Sequence, residues 1–383
     1  MSDELIHSAE IWLVKIVIVM GMILGACSYL IYMERKISAY MQDRMGPNRV
    51  GPWGLFQPLA DGLKFILKED VIPRYADRFL FILAPCIAIF TTMLAFSVVP
   101  FGPTSTSPDD WQFVIAPGVD IGIVFILAVG SLAVYSVVLG GWASNSKYSL
   151  LGAVRSSAQV VSYEIPLGTS ILGVVLMCGS LNLERIIQFQ ADAGFWHWNI
   201  WTQPLAALIF MVSALAEANR LPFDLPECEQ ELIGGYHTEY SAMKFAMFFL
   251  GEYTHVITVS FLISVLFLGG WHFPWIAEPA SHYAGSWLVK CGVLFAKVGI
   301  IIVVIMLIRW TVPRFRFDQL MSLAWQGLVP LAFINVTMVA VVKHFNWPIW
   351  WLTIASVLLF VAAVGWNGVN LQRRLRTPRP AMA

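Results

Sequence analysis

Residues 79–100 read FLFILAPCIAIFTTMLAFSVVP, a stretch without one Asp, Glu, Lys, Arg or His. A helix rises about 1.5 Å per residue, so this segment alone crosses a hydrocarbon core of about 30 Å. Outward from it, comparable runs appear at about 11–32, 118–140, 155–178, 203–217, 245–270, 290–309, 326–343 and 348–367. That predicts nine spans, the fifth being the shortest. Backbone polar groups in lipid must find partners within their own segment, so the runs predict an all-α, polytopic transmembrane helix bundle. Composition agrees. The chain is 58% apolar and 13% charged with a mean hydropathy of +0.70, where a soluble domain carries about 25% charged residues.

The net charge is zero, from 24 basic and 24 acidic residues, which points to no nucleic acid or other polyanion. Position says more. With nine spans the termini lie on opposite sides. If the tail Arg373, Arg374, Arg376 and Arg379 is cytoplasmic, so are the loops 33–78, 141–154, 218–244 and 310–325. Span ends included, 19 of the 24 Lys and Arg then fall inside, as the positive-inside rule requires. Only Arg185, Lys290 and Lys343 fall outside, with Lys15 and Lys297 within spans. The N-terminus is therefore expected outside and the C-terminus in the cytoplasm. Residues 7–25 are too long and too Glu-flanked for a cleaved secretory signal. Within 33–78, Leu55, Leu59, Leu63, Phe65, Ile66 and Leu67 stand near helical spacing, with Asp61, Lys64 and Lys68 on another face. This predicts an amphipathic helix, lying in the interface or against a neighbouring protein.

Five separated cysteines (Cys27, Cys86, Cys178, Cys228, Cys291) form no metal-binding or cluster-binding pattern, and no glycine-rich nucleotide loop is present. The chain is expected to bind no redox cofactor, so electrons must come from partners. Chemistry is expected where charges interrupt the apolar pattern. Glu34-Arg35-Lys36 ends the first span and leads into a turn rich in Gly and Pro. It reads either as a basic belt or, with acidic Glu34 and Asp61 among the cations, as a polar pocket. Residues 217–252 carry seven acids (Glu217, Asp224, Glu227, Glu229, Glu231, Glu239, Glu252) against Arg220 and Lys244. Acids so close tend to share protons, which suits a relay. Glu164, just before Pro166, and Glu252 fall inside spans, where an ionisable group normally faces a bundle interior or water. Finally, 309–319 (RWTVPRFRFDQ) interleaves arginines with aromatics, as an interfacial anchor or as the lining of a pocket. The seven histidines are scattered, mostly in or near outer loops, and none is assigned a role.

Four segments carry a resemblance. They are 34–70 (ERKISAYMQDRMGPNRVGPWGLFQPLADGLKFILKED), 141–168 (GWASNSKYSLLGAVRSSAQVVSYEIPLG), 216–241 (AEANRLPFDLPECEQELIGGYHTEYS) and 314–331 (RFRFDQLMSLAWQGLVPL). In order, over about 10–343, they resemble the quinone-site membrane subunit of respiratory complex I, the NADH-quinone oxidoreductase. This is the family of mitochondrial NADH dehydrogenase subunit 1 and its bacterial counterparts. The resemblance implies a subunit at the membrane mouth of a quinone tunnel, with FMN and iron–sulfur clusters held by partner subunits. It implies hydrophilic quinone-module partners, antiporter-like membrane partners, and a bacterial inner-membrane location. Matched by motif, Glu34, Arg35, Asp61 and Arg309 are expected near the tunnel. Glu164, Glu217, Asp224, Glu227, Glu229, Glu239 and Glu252 are expected on the proton or coupling path. Two departures stand out: Cys228-Glu229-Gln230 where the family usually has Gly-x-Ser, and Gln326 where it usually has Lys.

The whole reads as one transmembrane domain, 1–383, with the amphipathic loop 33–78, the acidic loop 218–244 and an extra C-terminal span and basic tail at 348–383. Two alternatives compete with the quinone-site reading: the homologous subunit of a membrane-bound hydrogenase-type complex, and a stand-alone ion-coupled transporter. The sequence shows no inverted repeat that would favour the transporter. Two expectations for the structure follow. Arg35 and Arg309 should face one polar tunnel, and Glu164, Glu217 and Glu252 should face one hydrated region.

Overall fold

The computed structural model describes residues 2–103, 113–224, 234–278 and 285–376, with the side chains of 2–11 and 366–376 left aside. Among the described residues the chain is helical, with one isolated antiparallel bridge between Phe273 and Ala277. Long crossings are α1 (Ser2–Met41), α3 (Arg78–Ala95), α4 (Gly122–Ala143), α5 (Lys147–Cys178), α9 (Ala242–Phe267) and α10 (Ser286–Thr311). A further run, Phe317–His344, joins α11 (Phe317–Ser322), a π-helical turn (Leu323–Leu328) and α12 (Val329–His344). Among the described residues seven helices are thus long and apolar enough to cross a membrane, and α8 (Pro204–Glu217) and Trp350–Gly365 of α13 (Trp350–Arg376) are shorter apolar ones. These nine coincide with the nine expected runs.

Local chemistry sets the helix ends. Asp77 accepts from the Phe79 and Leu80 amides (3.1 and 3.3 Å), capping α3. Gly179, at φ 72°, ends α5 in the left-handed conformation that glycine adopts most easily. The expected amphipathic helix is α2 (Gln57–Leu67). Its inner side packs on α1 and α9, and Leu59, Leu63, Ile66 and Leu67 are exposed. A second amphipathic helix, α6 (Leu183–Ala193), and the one-turn α7 (Asn199–Thr202) lead into the short α8.

Helix α9 is the centre of the bundle. Nearly all of its residues from Thr254 to Phe267 are buried, and α1, α2, α3, α8 and α10 all pack on it. Helices α3, α4 and α5 form the tightest neighbouring layer. On the face where α1, α4, α8 and α10 end, Gln159 Nε2 of α5 donates to the Ala216 and Phe223 carbonyls, both at 2.8 Å. This buried amide fixes the turn 218–224 that follows α8.

Candidate functional site

Two polar compartments meet around α9. The first is a charge knot. Glu34, on α1, is paired with Arg309 of α10 and with Arg220 at 3.4 Å, and accepts a 2.8 Å hydrogen bond from the Tyr253 hydroxyl. The Arg220 guanidinium also lies over the Tyr253 ring, 4.0 Å from its centre. The Glu34 side chain is only 12% exposed. A largely buried carboxylate needs partners of this kind, because an unpaired charge in lipid or protein is costly. One carboxylate thus gathers two guanidiniums and a phenol hydroxyl, which makes the knot rich in donors. A cavity of about 20 Å³ opens on it, walled by Leu30, Val256, Ile305 and Met306. Close by, Arg314 bonds Asp224 at 3.3 Å, and Phe223 stacks on Phe315.

Arg35 turns away from this knot. Its guanidinium meets Asp61 of α2 at 2.6 Å, with Lys64 3.4 Å from the same carboxylate. Adjacent residues on a helix point about 100° apart, so Glu34 and Arg35 serve two clusters. Arg35 and Arg309 thus pair with different carboxylates, Asp61 and Glu34. Asp61 tethers α2 to the end of α1.

The second compartment is a cavity of about 70 Å³ between α3, α4, α8 and α9, continued by one of about 30 Å³ that shares Glu217 and His255. A water needs roughly 10–15 Å³ of such space, so several fit. Small residues create the room: Gly130 and Ala133 of α4, Ala88 of α3 and Gly251 of α9 line it. Glu217, Glu252, His255, Asn219 and Tyr236 supply its polar groups. The Tyr236 hydroxyl donates to Glu252 Oε1 at 3.2 Å. His255 Nε2 stands 3.7 Å from Glu217 Oε1.

Of the three intramembrane glutamates, Glu217 and Glu252 share this cavity. Glu164 does not line it. It lies near Ser131 of α4 and within electrostatic reach of Glu217. Glu239 is half-buried on the turn before α9. Glu227, Glu229 and the departures Cys228 and Gln230 lie outside the described residues. Gln326 stands in the π-helical turn, accepting from the Ser322 hydroxyl at 3.1 Å, and neighbouring Trp325 donates to Ser162 at 3.3 Å. His255 is the cavity residue that sequence reading passed over. Its spacing of three from Glu252 puts both on one helical face, and that was the available signal. No group of three or more metal-binding side chains occurs among the described residues.

Fold and site together define a multi-pass helical membrane protein with a charged cluster and an acidic cavity inside one bundle. Comparison supplies the family. Residues 14–340 match the family model described as NADH dehydrogenase. The chain is 46% identical to NADH-quinone oxidoreductase subunit 8 of Rhodothermus marinus, over 86% of this chain and 95% of that protein. It is 48% identical to an NADH-quinone oxidoreductase subunit of Koribacter versatilis, with the same coverage, and 47% identical to one of Protochlamydia amoebophila, over 82% and 92%. The chain belongs to the NADH dehydrogenase family.

Proposed function

We propose that this chain, as a subunit of an NADH-quinone oxidoreductase, forms the membrane entrance of the quinone site and couples quinone reduction to proton movement. The observation that carries the reading is a shared wall. Asn219 lines the acidic cavity while Arg220 enters the charge knot, and Glu252 lines the cavity while Tyr253 enters the knot. Two pairs of consecutive residues thus separate, and connect, a charged cluster and a group of protonatable acids. Quinone reduction places negative charge on ring oxygens. The guanidinium donors of Arg309 and Arg220 suit such oxygens. A displacement of Arg220 or Tyr253 by bound quinone is felt one residue away in the cavity.

Electrons arrive from partner subunits that hold the flavin and iron–sulfur clusters, and hydrophilic and antiporter-like subunits flank this chain. The membrane is the bacterial inner membrane, with the basic loops and C-terminus in the cytoplasm. Glu252→Gln in the assembled complex keeps the shape and removes the charge change. Pumping and quinone turnover are expected to fall together, because a coupled cycle cannot complete one without the other. Parent-level pumping and turnover in that variant would overturn the coupling role.

A further inference from the structure

We propose that His255 is a proton-carrying partner of Glu217, so that the cavity holds its proton on a carboxylate–imidazole pair fed from Glu252. The inference rests on the coupling role proposed above and adds a residue and a step to it.

Three observations converge on His255. First, it occupies the centre of the most buried helix of the bundle, whose other residues from Val256 to Phe267 are Val, Ile, Leu, Phe, Thr and Ser. An imidazole in such surroundings requires a polar reason. Second, its Nε2 is buried without a hydrogen-bond partner among the described residues, although Glu217 Oε1 stands 3.7 Å away. That separation exceeds a hydrogen bond and closes with a small rotation or one bridging water. Third, the space for that water is present, because His255 and Glu217 line both the larger and the smaller cavity. Opposite the pair stands Gly130, where even a methyl group would sit 3.4 Å from the carboxylate.

The titratable groups facing this point are few. Helix α8 contributes Glu217, α9 contributes Glu252 one turn earlier, and the turn before α9 contributes Tyr236 through its bond to Glu252. Helix α5 adds Glu164, within electrostatic reach of Glu217, while α3 and α4 offer Thr91, Thr92 and Gly130, none of which titrates. A proton leaving the Glu252 carboxyl passes through cavity water to Nε2 of His255, giving an imidazolium beside a carboxylate. It then passes from Nε2 to Glu217 Oε1, restoring the neutral ring. One proton moves, no electrons move, and charge balances at each stage. Histidine suits the middle position because a ring nitrogen without a proton can take one up from water and hand it to a neighbouring carboxylate.

The test uses the assembled complex in native membrane vesicles with His255→Asn and His255→Gln, which keep a polar group and remove the titration. Quinone turnover and proton translocation are expected to fall about tenfold or more, with NADH oxidation by a water-soluble acceptor unchanged. The infrared difference spectrum on quinone reduction, recorded with isotope-labelled histidine, is expected to lose an imidazole band. Parent-level turnover and pumping overturn the proposal, and so does a slowed variant whose histidine bands are unchanged, since that marks a structural role. Glu252→Gln separates the two levels. Loss of pumping there with normal His255 variants leaves the coupling role standing and removes His255, whereas no effect in either removes both. If neither His255 variant assembles, the labelled parent spectrum decides. A histidine band abolished by Glu217→Gln supports the pair, and its absence overturns it.

Discussion

Glu34 shows what a single buried charge demands. Three groups from three separate parts of the chain converge on one carboxylate, and Arg309 is the member that reaches it from α10. Arg309→Ala is expected to leave assembly intact, since Arg220 and Tyr253 still satisfy Glu34, and to raise the quinone KM about tenfold. A lost charged donor typically costs about 1.5–3 kcal/mol, and about 1.4 kcal/mol is tenfold. Steady-state kinetics of the assembled variant check this, and an unchanged KM would return Arg309 to an anchoring role. His272 offers a pH test on the opposite face. Burial and the neighbouring Lys297 lower its proton affinity, partly offset by Glu278 and Asp192, and its Nδ1 accepts from Trp198 Nε1 at 3.2 Å. The folded ring resists a proton that the unfolded ring takes up below about pH 6.5, so this contact is stabilising above that pH and weakens as pH falls through it. Faster hydrogen exchange in 269–278 at acidic pH should report it, and His272→Gln should flatten that dependence.

Among the elements, the close approach of α5 to the turn at 234–241 is the most exacting. A Cβ on Gly152 would sit 2.6 Å from the Gly235 Cα, backbone against backbone, where no side chain can yield. Gly152→Ala should therefore displace the turn, lengthen the Tyr236–Glu252 contact and cost about 1–3 kcal/mol. Thermal stability of the complex measures the cost, and slowed proton translocation measures the displacement. Helix α2 makes a different demand. Leu67 is 75% exposed, and Leu59, Leu63 and Ile66 share its outward side. A spin label at Leu63→Cys should collide more with oxygen than with a water-soluble nickel chelate, as expected in lipid. The reverse would assign this side to a neighbouring subunit. Periodicity revealed α2, but not α6, whose eleven residues sit between two long apolar runs and read as a loop. Nor did it reveal the π-helical turn (Leu323–Leu328), because one extra residue per turn leaves no mark in an apolar pattern.

At the scale of the whole molecule, nine crossings with a cytoplasmic tail predict that a reporter fused after residue 370 is active on the cytoplasmic side. An external reporter would mean that one crossing is miscounted, α8 first, since its fourteen residues span only about 21 Å. The sequence by itself determined the crossings and the residue types at issue. Hydrocarbon excludes unsatisfied backbone and unpaired charge, so apolar length and stray acids are legible one segment at a time. It marked Glu34, Arg309, Glu217 and Glu252 because each breaks an apolar or basic pattern. Which of them meet was decided only by tertiary structure. Direction around a helix sends Glu34 and Arg35 to different partners, and small residues far apart in the chain, Ala88, Gly130 and Gly251, jointly leave the cavity that Glu217, Glu252 and His255 share. Contacts between distant segments depend on how helices cross and rotate. That geometry is set by packing of the whole bundle, which no single segment encodes.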